Sequence, residues 1–192
     1  MKLSVDRLEA TPTRHAFEAE PAWWNERMIE GLEAGYDLDG PLRFRLDAHR
    51  IGTEVFLEGD FEGKIEVDCG RCLRRYRHPL AERFRLVLEA AGDREPADPE
   101  GARALARDGV SLGDEVELGW YRGPEITLDV FFSELVSLAL PLQPLCREDC
   151  AGLCPRCGAE LGEIDCGCEE QKPTSPFAVL AALRDQESGG ST

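Results

Sequence analysis

Residues 146–168 read CREDCAGLCPRCGAELGEIDCGC, and the cysteines in this run stand in close pairs: Cys146-x-x-x-Cys150, Cys154-Pro-Arg-Cys157 and Cys166-x-Cys168. A fourth pair, Cys69-x-x-Cys72, lies far upstream. Two thiolates close along a chain can grip one metal ion together, and two such pairs complete the tetrahedral sulfur site that zinc accepts. Gly158 follows Cys157 where a metal knuckle needs a positive φ. Cys154, Cys157, Cys166 and Cys168 are near enough in sequence to close one compact site. Cys69, Cys72, Cys146 and Cys150 would then form a long-range clamp, whose closure removes more unfolded-state entropy than a local one. These two sites are the preferred partition, but spacing alone also permits Cys69 and Cys72 to join Cys154 and Cys157, or the six cysteines from 146 to 168 to divide differently, so the partition stays open. One or two structural zinc ions are expected.

Other uses of these thiols fit less well. A redox Cys-x-x-Cys needs a thiol at a helix N-terminus, whereas these pairs fall at a strand end and in a Gly/Pro-rich loop. An iron–sulfur cluster takes the same ligands, but Cys-Pro-x-Cys-Gly is knuckle-like and favours zinc. Four sulfurs leave no open coordination position for catalysis. Disulfides belong to oxidising compartments, and Met1-Lys2-Leu3-Ser4-Val5-Asp6 has no apolar signal core, so a cytoplasmic protein with reduced thiols is expected.

The 192 residues carry a formal charge of -16 and are 42% hydrophobic. That length supports a real core without a metal to rescue it. Two four-thiolate zinc sites would each net −2 and bring the folded protein to about −20. A molecule so acidic repels bulk nucleic acid and anionic membranes, and no apolar run approaches the length of a membrane span.

Outward from the cysteines the pattern is mixed. Asp129 reads as the cap of an apolar helix running to Leu140, with Phe131, Phe132, Leu135, Val136 and Leu138 making it buried nearly all round. Leu42, Phe44, Leu46 and Ala48 alternate with polar residues as in a half-buried strand, continued by Val55 and Leu57. After a turn-like Glu58-Gly59-Asp60, Phe61, Ile65 and Val67 form a second strand that delivers Cys69 and Cys72 at its end. Further strands are expected around Leu3 to Val5, over Phe84 to Leu88 and over Val116 to Trp120. Pro21 to Ala34 reads as a helix, with Trp24, Met28 and Leu32 on one face. Residues 91–113 lose periodicity and read as a mobile surface loop with one turn of helix near Ala102 to Arg107. Ser175 and Pro176 open a short helix to Arg184, and 185–192 is a polar, disordered tail.

The fold expected is α+β: an antiparallel sheet, curled toward a barrel-like form, with a buried helix and a Cys-rich zinc-binding C-terminal segment. The domains are a core over 1–145, the metal-binding segment and terminal helix over 146–184, and the tail.

Enzymatic signatures are missing. His15, His49 and His78 are isolated, and no phosphate-cradling loop, nucleophile elbow or metalloprotease helix occurs. Against the acidic background, Arg71, Arg74, Arg75 and Arg77 crowd the first cysteine pair with Tyr76 among them. Arginine forks suit phosphate and an aromatic ring can stack a base, so these five are candidate RNA or partner contacts. The competing reading is a solvated charged strand.

Four landmarks in order give the chain a likeness: Val67-x-Cys69-x-Arg71-Cys72; Leu138-Ala139-Leu140-Pro141-x-x-Pro144; Cys146-x-x-x-Cys150-Ala151-Gly152-Leu153-Cys154-Pro155-x-Cys157-Gly158; and Pro176-Phe177-Ala178-Val179-Leu180-Ala181-x-Leu183. From about Phe61 to Leu183 it resembles the YceD family, the bacterial large ribosomal RNA subunit accumulation proteins. The resemblance implies a non-enzymatic ribosome-biogenesis factor supporting synthesis, processing or accumulation of that RNA. Its partners would be a ribosomal RNA precursor or a ribosomal protein in a pre-ribosomal particle, with no membrane and no small-molecule substrate. A rival from another class is an acidic adaptor docking basic ribosomal proteins; a thiol oxidoreductase is the enzymatic rival.

Overall fold

The computed structural model describes residues 1–27, 36–113 and 118–168. Contacts divide the chain into two units, Met1–Cys150 and Ala151–Thr192.

The first unit is built on strands. In chain order it has β1 (Lys2–Ser4), a 3-10 turn (Val5–Arg7), β2 (Thr13–Ala19), α1 (Pro21–Asn25), β3 (Asp37–Leu38), β4 (Leu42–Ile51), β5 (Glu54–Asp68) and β6 (Arg75–Ala90). Then follow α2 (Pro99–Asp108), β7 (Val110–Leu112), β8 (Leu118–Tyr121), β9 (Glu125–Thr127) and α3 (Asp129–Ala139). The main sheet has the order β2-β4-β5-β6-β8-β7, and β3 takes over the edge of β5 where β4 stops. Strands β1 and β9 pair separately. The α+β reading holds, but the sheet is open. Among the described residues β2 pairs with β4 alone and β7 with β8 alone, so no pairing closes a barrel. A three-residue last strand packed beneath α2 offers little to close upon. The sheet also contains one parallel pair, β6 with β8, which the antiparallel expectation lacked.

Alternation sets the long strands. In β4, Leu42, Phe44, Leu46 and Ala48 are buried while Arg43 and Arg45 are exposed. Gly52 at φ +61° makes the hairpin to β5. Strand β5 then runs unbroken through Glu58-Gly59-Asp60, where a turn was expected. Gly59 is there for close approach: a Cβ on it would lie 2.0 Å from the Arg45 carbonyl oxygen. Strand β6 extends back from the expected Phe84 region to Arg75, pairing with β5 along its whole length. The inner sheet face packs on α3, with Phe44 between Phe132 (4.1 Å between ring centres) and Phe61 (5.5 Å).

Helix α3 departs from expectation in two ways. Phe131, Phe132 and Val136 are buried, but Leu138 is 67% exposed, so one face is open. Leu128 holds the cap position, and Asp129 is the first helical residue, only 7% exposed. Its carboxylate accepts from Trp23 Nε1 at 2.6 Å, pairs with Arg27 at 3.4 Å and meets the Met1 amine. Burial pushes this carboxyl up, but the amine and Trp23 outweigh it and hold it below its ordinary value. Asp129→Ala is therefore expected to cost about 2 kcal/mol in urea unfolding at neutral pH, the range for hydrogen bonds to a charged group. Because the folded pKa is depressed, that contribution is present above the unfolded value of 3.8 and is lost as pH falls through the folded one. Wild type and variant should converge in stability there.

Residues 91–113 hold more structure than a loop. Asp98 accepts from the Gly101 amide at 2.6 Å, Pro99 occupies the first turn, and Gly109 at φ +71° ends α2 before β7. These are ordinary start and stop signals, obscured by the absence of a long apolar period. Met28 and Leu32 of the expected first helix, Val116, and the expected terminal helix and tail lie outside the described residues.

In the second unit, residues 151–168 form tight turns joined by one bridge, Leu153 to Glu160, with the Cys154 amide donating to Ala159 O at 2.8 Å.

Candidate metal centres

The first centre is assembled at the β5–β6 turn. Strand β5 ends at Asp68, so Cys69 and Cys72 sit on the turn itself, and the segment leaving α3 brings Cys146 and Cys150 against them. All four sulfurs lie within 4.8 Å of one another, with Cys69 to Cys150 at 3.8 Å and Cys72 to Cys146 at 3.7 Å. A disulfide would need about 2.05 Å. A tetrahedron of sulfurs about 2.3 Å from zinc has edges of about 3.8 Å, so the donor set fits that ion.

Backbone bonds hold the turn open for it. Cys69 N–H donates to Arg74 O at 2.9 Å, Leu73 N–H to Cys69 O at 2.9 Å, and Gly70 N–H to Pro144 O at 2.8 Å. Leu73 adopts φ +58°, the left-handed conformation that Gly158 adopts after Cys157 in the other centre at φ +74°. A leucine pays about 1–2 kcal/mol for it. Burial raises the Cys69 thiol, but the amides of Cys146, Cys72 and Arg71 overcome this and bring it down to about 6. At Cys72 the Arg74 amide favours the thiolate, yet burial and the three neighbouring sulfurs push it up to about 12. One thiolate forms readily and the next is opposed by it; a divalent cation removes that opposition.

The second centre is local. Cys154, Cys157, Cys166 and Cys168 also have their sulfurs within 4.8 Å. Gly158 N–H donates to Cys154 O at 2.9 Å, and Gly167 takes φ +59° between the last two cysteines. The Cys157 and Arg156 amides bring Cys154 down to about 6, while Cys157 and the other neighbouring thiols push Cys168 up to about 12. Cys154 is buried and Cys157 exposed; the first centre is the better shielded.

The arginines around Cys72 all have interactions within the protein. Arg71 donates to Cys150 O at 2.9 Å and Glu148 O at 3.4 Å, fastening the two halves of the first centre. Arg75 pairs with Asp37, Glu66 and Asp68, and Arg77 with Asp39 at 3.0 Å and Glu66 at 3.6 Å. Arg74 has an interaction of its own. Tyr76 lies opposite Val67 on the inner face, its hydroxyl buried without a hydrogen-bond partner among the described residues. No sequence signal marked Arg71 as a fastener, since its acceptors are carbonyls that any residue supplies.

No described helix is long and apolar enough to cross a membrane. No solved structure matches the chain. A chloroplastic YCED homolog 1 of Arabidopsis thaliana, named a large ribosomal RNA subunit accumulation protein, is 24% identical over 76% of this chain. The chain spans about half of that relative, 49% of its length. An uncharacterized protein of Mycobacterium tuberculosis is 44% identical over 82% of this chain and 70% of its own. One from Mycobacterium leprae is 24% identical over 63% of this chain and 49% of its own. The family model described as "Large ribosomal RNA subunit accumulation protein YceD" matches residues 57–184, and with the mycobacterial likeness this shows that the chain belongs to the YceD family.

Proposed function

We propose that this protein is a non-enzymatic, cytoplasmic factor that supports accumulation of large-subunit ribosomal RNA, stapled by two structural zinc ions, and that it acts by holding a basic protein component of the assembling subunit. The observation behind the mode of action is the state of the basic cluster. Arg75 and Arg77 are each shared among carboxylates, and Arg71 is spent on carbonyls. Phosphates would have to displace those neighbours, whereas the excess of 38 acidic over 22 basic residues favours a cationic partner. Closed four-sulfur sites leave the metals no catalytic role.

Tagged protein is expected to co-sediment with large-subunit precursor particles and to keep a ribosomal protein bound after ribonuclease digestion. Release of every partner by ribonuclease would turn the reading to RNA, and no association with precursors would end it.

A further inference from the structure

Strand register arranges the outer face of the main sheet into rows across β4, β5 and β6, continued onto β8 at one end. Three successive rows mix acids with arginines: Arg43 with Glu62, then Arg45, Asp60 and Arg83, then Asp47 opposite Glu58 with Arg85 beyond. Strand β2 extends them, with Glu18 on Arg43 at 3.2 Å and Arg14 on Asp47 at 3.2 Å. Such a lace is solvated and internally balanced. The fourth row breaks it: His49, Phe56, Val87 and Leu118 lie side by side with no carboxylate, lysine or arginine among them. His49 stacks on Phe56, 5.0 Å between ring centres, and Leu118 is 51% exposed.

The fifth row reads Ile51, Glu54, Glu89 and Trp120. Ile51 is 55% exposed, and two carboxylates stand directly opposite each other, an arrangement that destabilises a sheet unless a cation intervenes. Arg94 meets Glu89 at 3.3 Å and lies over the Trp120 ring at 4.9 Å, but Glu54 has no ion pair among the described residues. Val87, Leu118 and Trp120 open into a groove of about 420 Å³ whose rim includes Glu89 and Asp98.

We infer that this apolar row and its acidic rim dock a lysine- or arginine-bearing, apolar segment of a basic protein. Aliphatic or aromatic anchors would lie along Phe56, Val87 and Leu118, with a cation between Glu54 and Glu89. The inference deepens the proposed function and rests on its choice of a protein partner. Charge complementarity selects the occupant: the rim is acidic, the molecule is strongly anionic, and each of the three charged rows already contains arginine whereas the fifth row contains none.

The test uses the full-length metal-bound protein and a ribonuclease-treated mixture of purified large-subunit ribosomal proteins. A photoreactive phenylalanine analogue at position 118 should cross-link to a Lys/Arg-rich segment, whereas the same analogue at Ala81, in the charged part of the face, should not. Leu118→Glu and, separately, Glu54→Lys should each weaken binding of the cross-linked protein about tenfold or more. Both positions are exposed, so melting temperature should hold; if one variant misfolds, the other still decides. Unchanged binding by the folded variants, cross-linking only to a second copy of the chain, or equal cross-linking from position 81 would overturn the groove. Precursor co-sedimentation separates the two failures. If Leu118→Glu still co-sediments like wild type, the groove is wrong and the function stands; if wild type itself fails to co-sediment, the function is wrong.

Discussion

Chelation of the purified, reduced protein is expected to lower its melting temperature by roughly 8–16 °C, the shift that follows when a ligand at about a thousand times its dissociation constant is withdrawn from a chain of this size. Native mass spectrometry should find two zinc ions before treatment and none after. The two centres should not contribute equally. Cys72→Ser removes a ligand from a clamp joining the β5–β6 turn to the segment after α3, across a span from Cys69 to Cys150. It should lose one ion and most of the thermal shift. Cys166→Ser should lose the other ion with a smaller shift, because its four ligands close only a short local loop. Acid should act like chelator. Metal binding requires thiolates, so lowering pH protonates the ligands and drives the ion off, with Cys69 and Cys154, each at about 6 without metal, the last in their groups to protonate. A reduced protein free of metal that melts cooperatively and ignores chelator would refute both centres.

How far this site could be read beforehand depends on the range of the interaction. Cys154-Pro-Arg-Cys157-Gly158 is a local device: amides of the turn point at the sulfur, and the glycine supplies the positive φ. Residue order alone encodes that. The first centre depends on which strand end meets which exit segment, a tertiary fact, and Leu73 hides its knuckle by standing where glycine would advertise one. The arginine cluster shows the opposite limit. Its composition suggested RNA or partner contacts, but composition does not show the neighbours that pairing brings: Asp37 of β3, Asp39 just after it, and Glu66 and Asp68 of β5. The apolar row on the outer sheet face was invisible for the same reason. His49, Phe56, Val87 and Leu118 are scattered along the chain and become neighbours only through register.

Gly59 carries the second large expected effect, and it bears on that register. Read as a turn residue, it lies in the middle of a fifteen-residue strand, opposite Leu46 of β4. A methyl group there would lie 2.0 Å from Arg45 O and 2.8 Å from Leu46 Cα, both backbone atoms that cannot swing aside. Gly59→Ala is expected to cost about 3 kcal/mol or more, read as a lower urea midpoint, since relief requires β4 and β5 to part. Gly63→Ala meets Leu42 Cδ2 at 2.3 Å, a side-chain tip, and should cost about 1–2 kcal/mol as the leucine repacks. Gly52→Ala has open space and only its φ of +61° against it, about 1 kcal/mol. That ranking distinguishes close approach from turn geometry: if Gly52 proved the more sensitive and Gly59→Ala were tolerated, β4 and β5 would not be in the contact described. Parting them would also disturb the rows that pair Arg45 with Asp60 and place His49 on Phe56, so a partly folded Gly59→Ala protein should lose docking of the basic partner while its cysteines at the far end of β5 still bind metal.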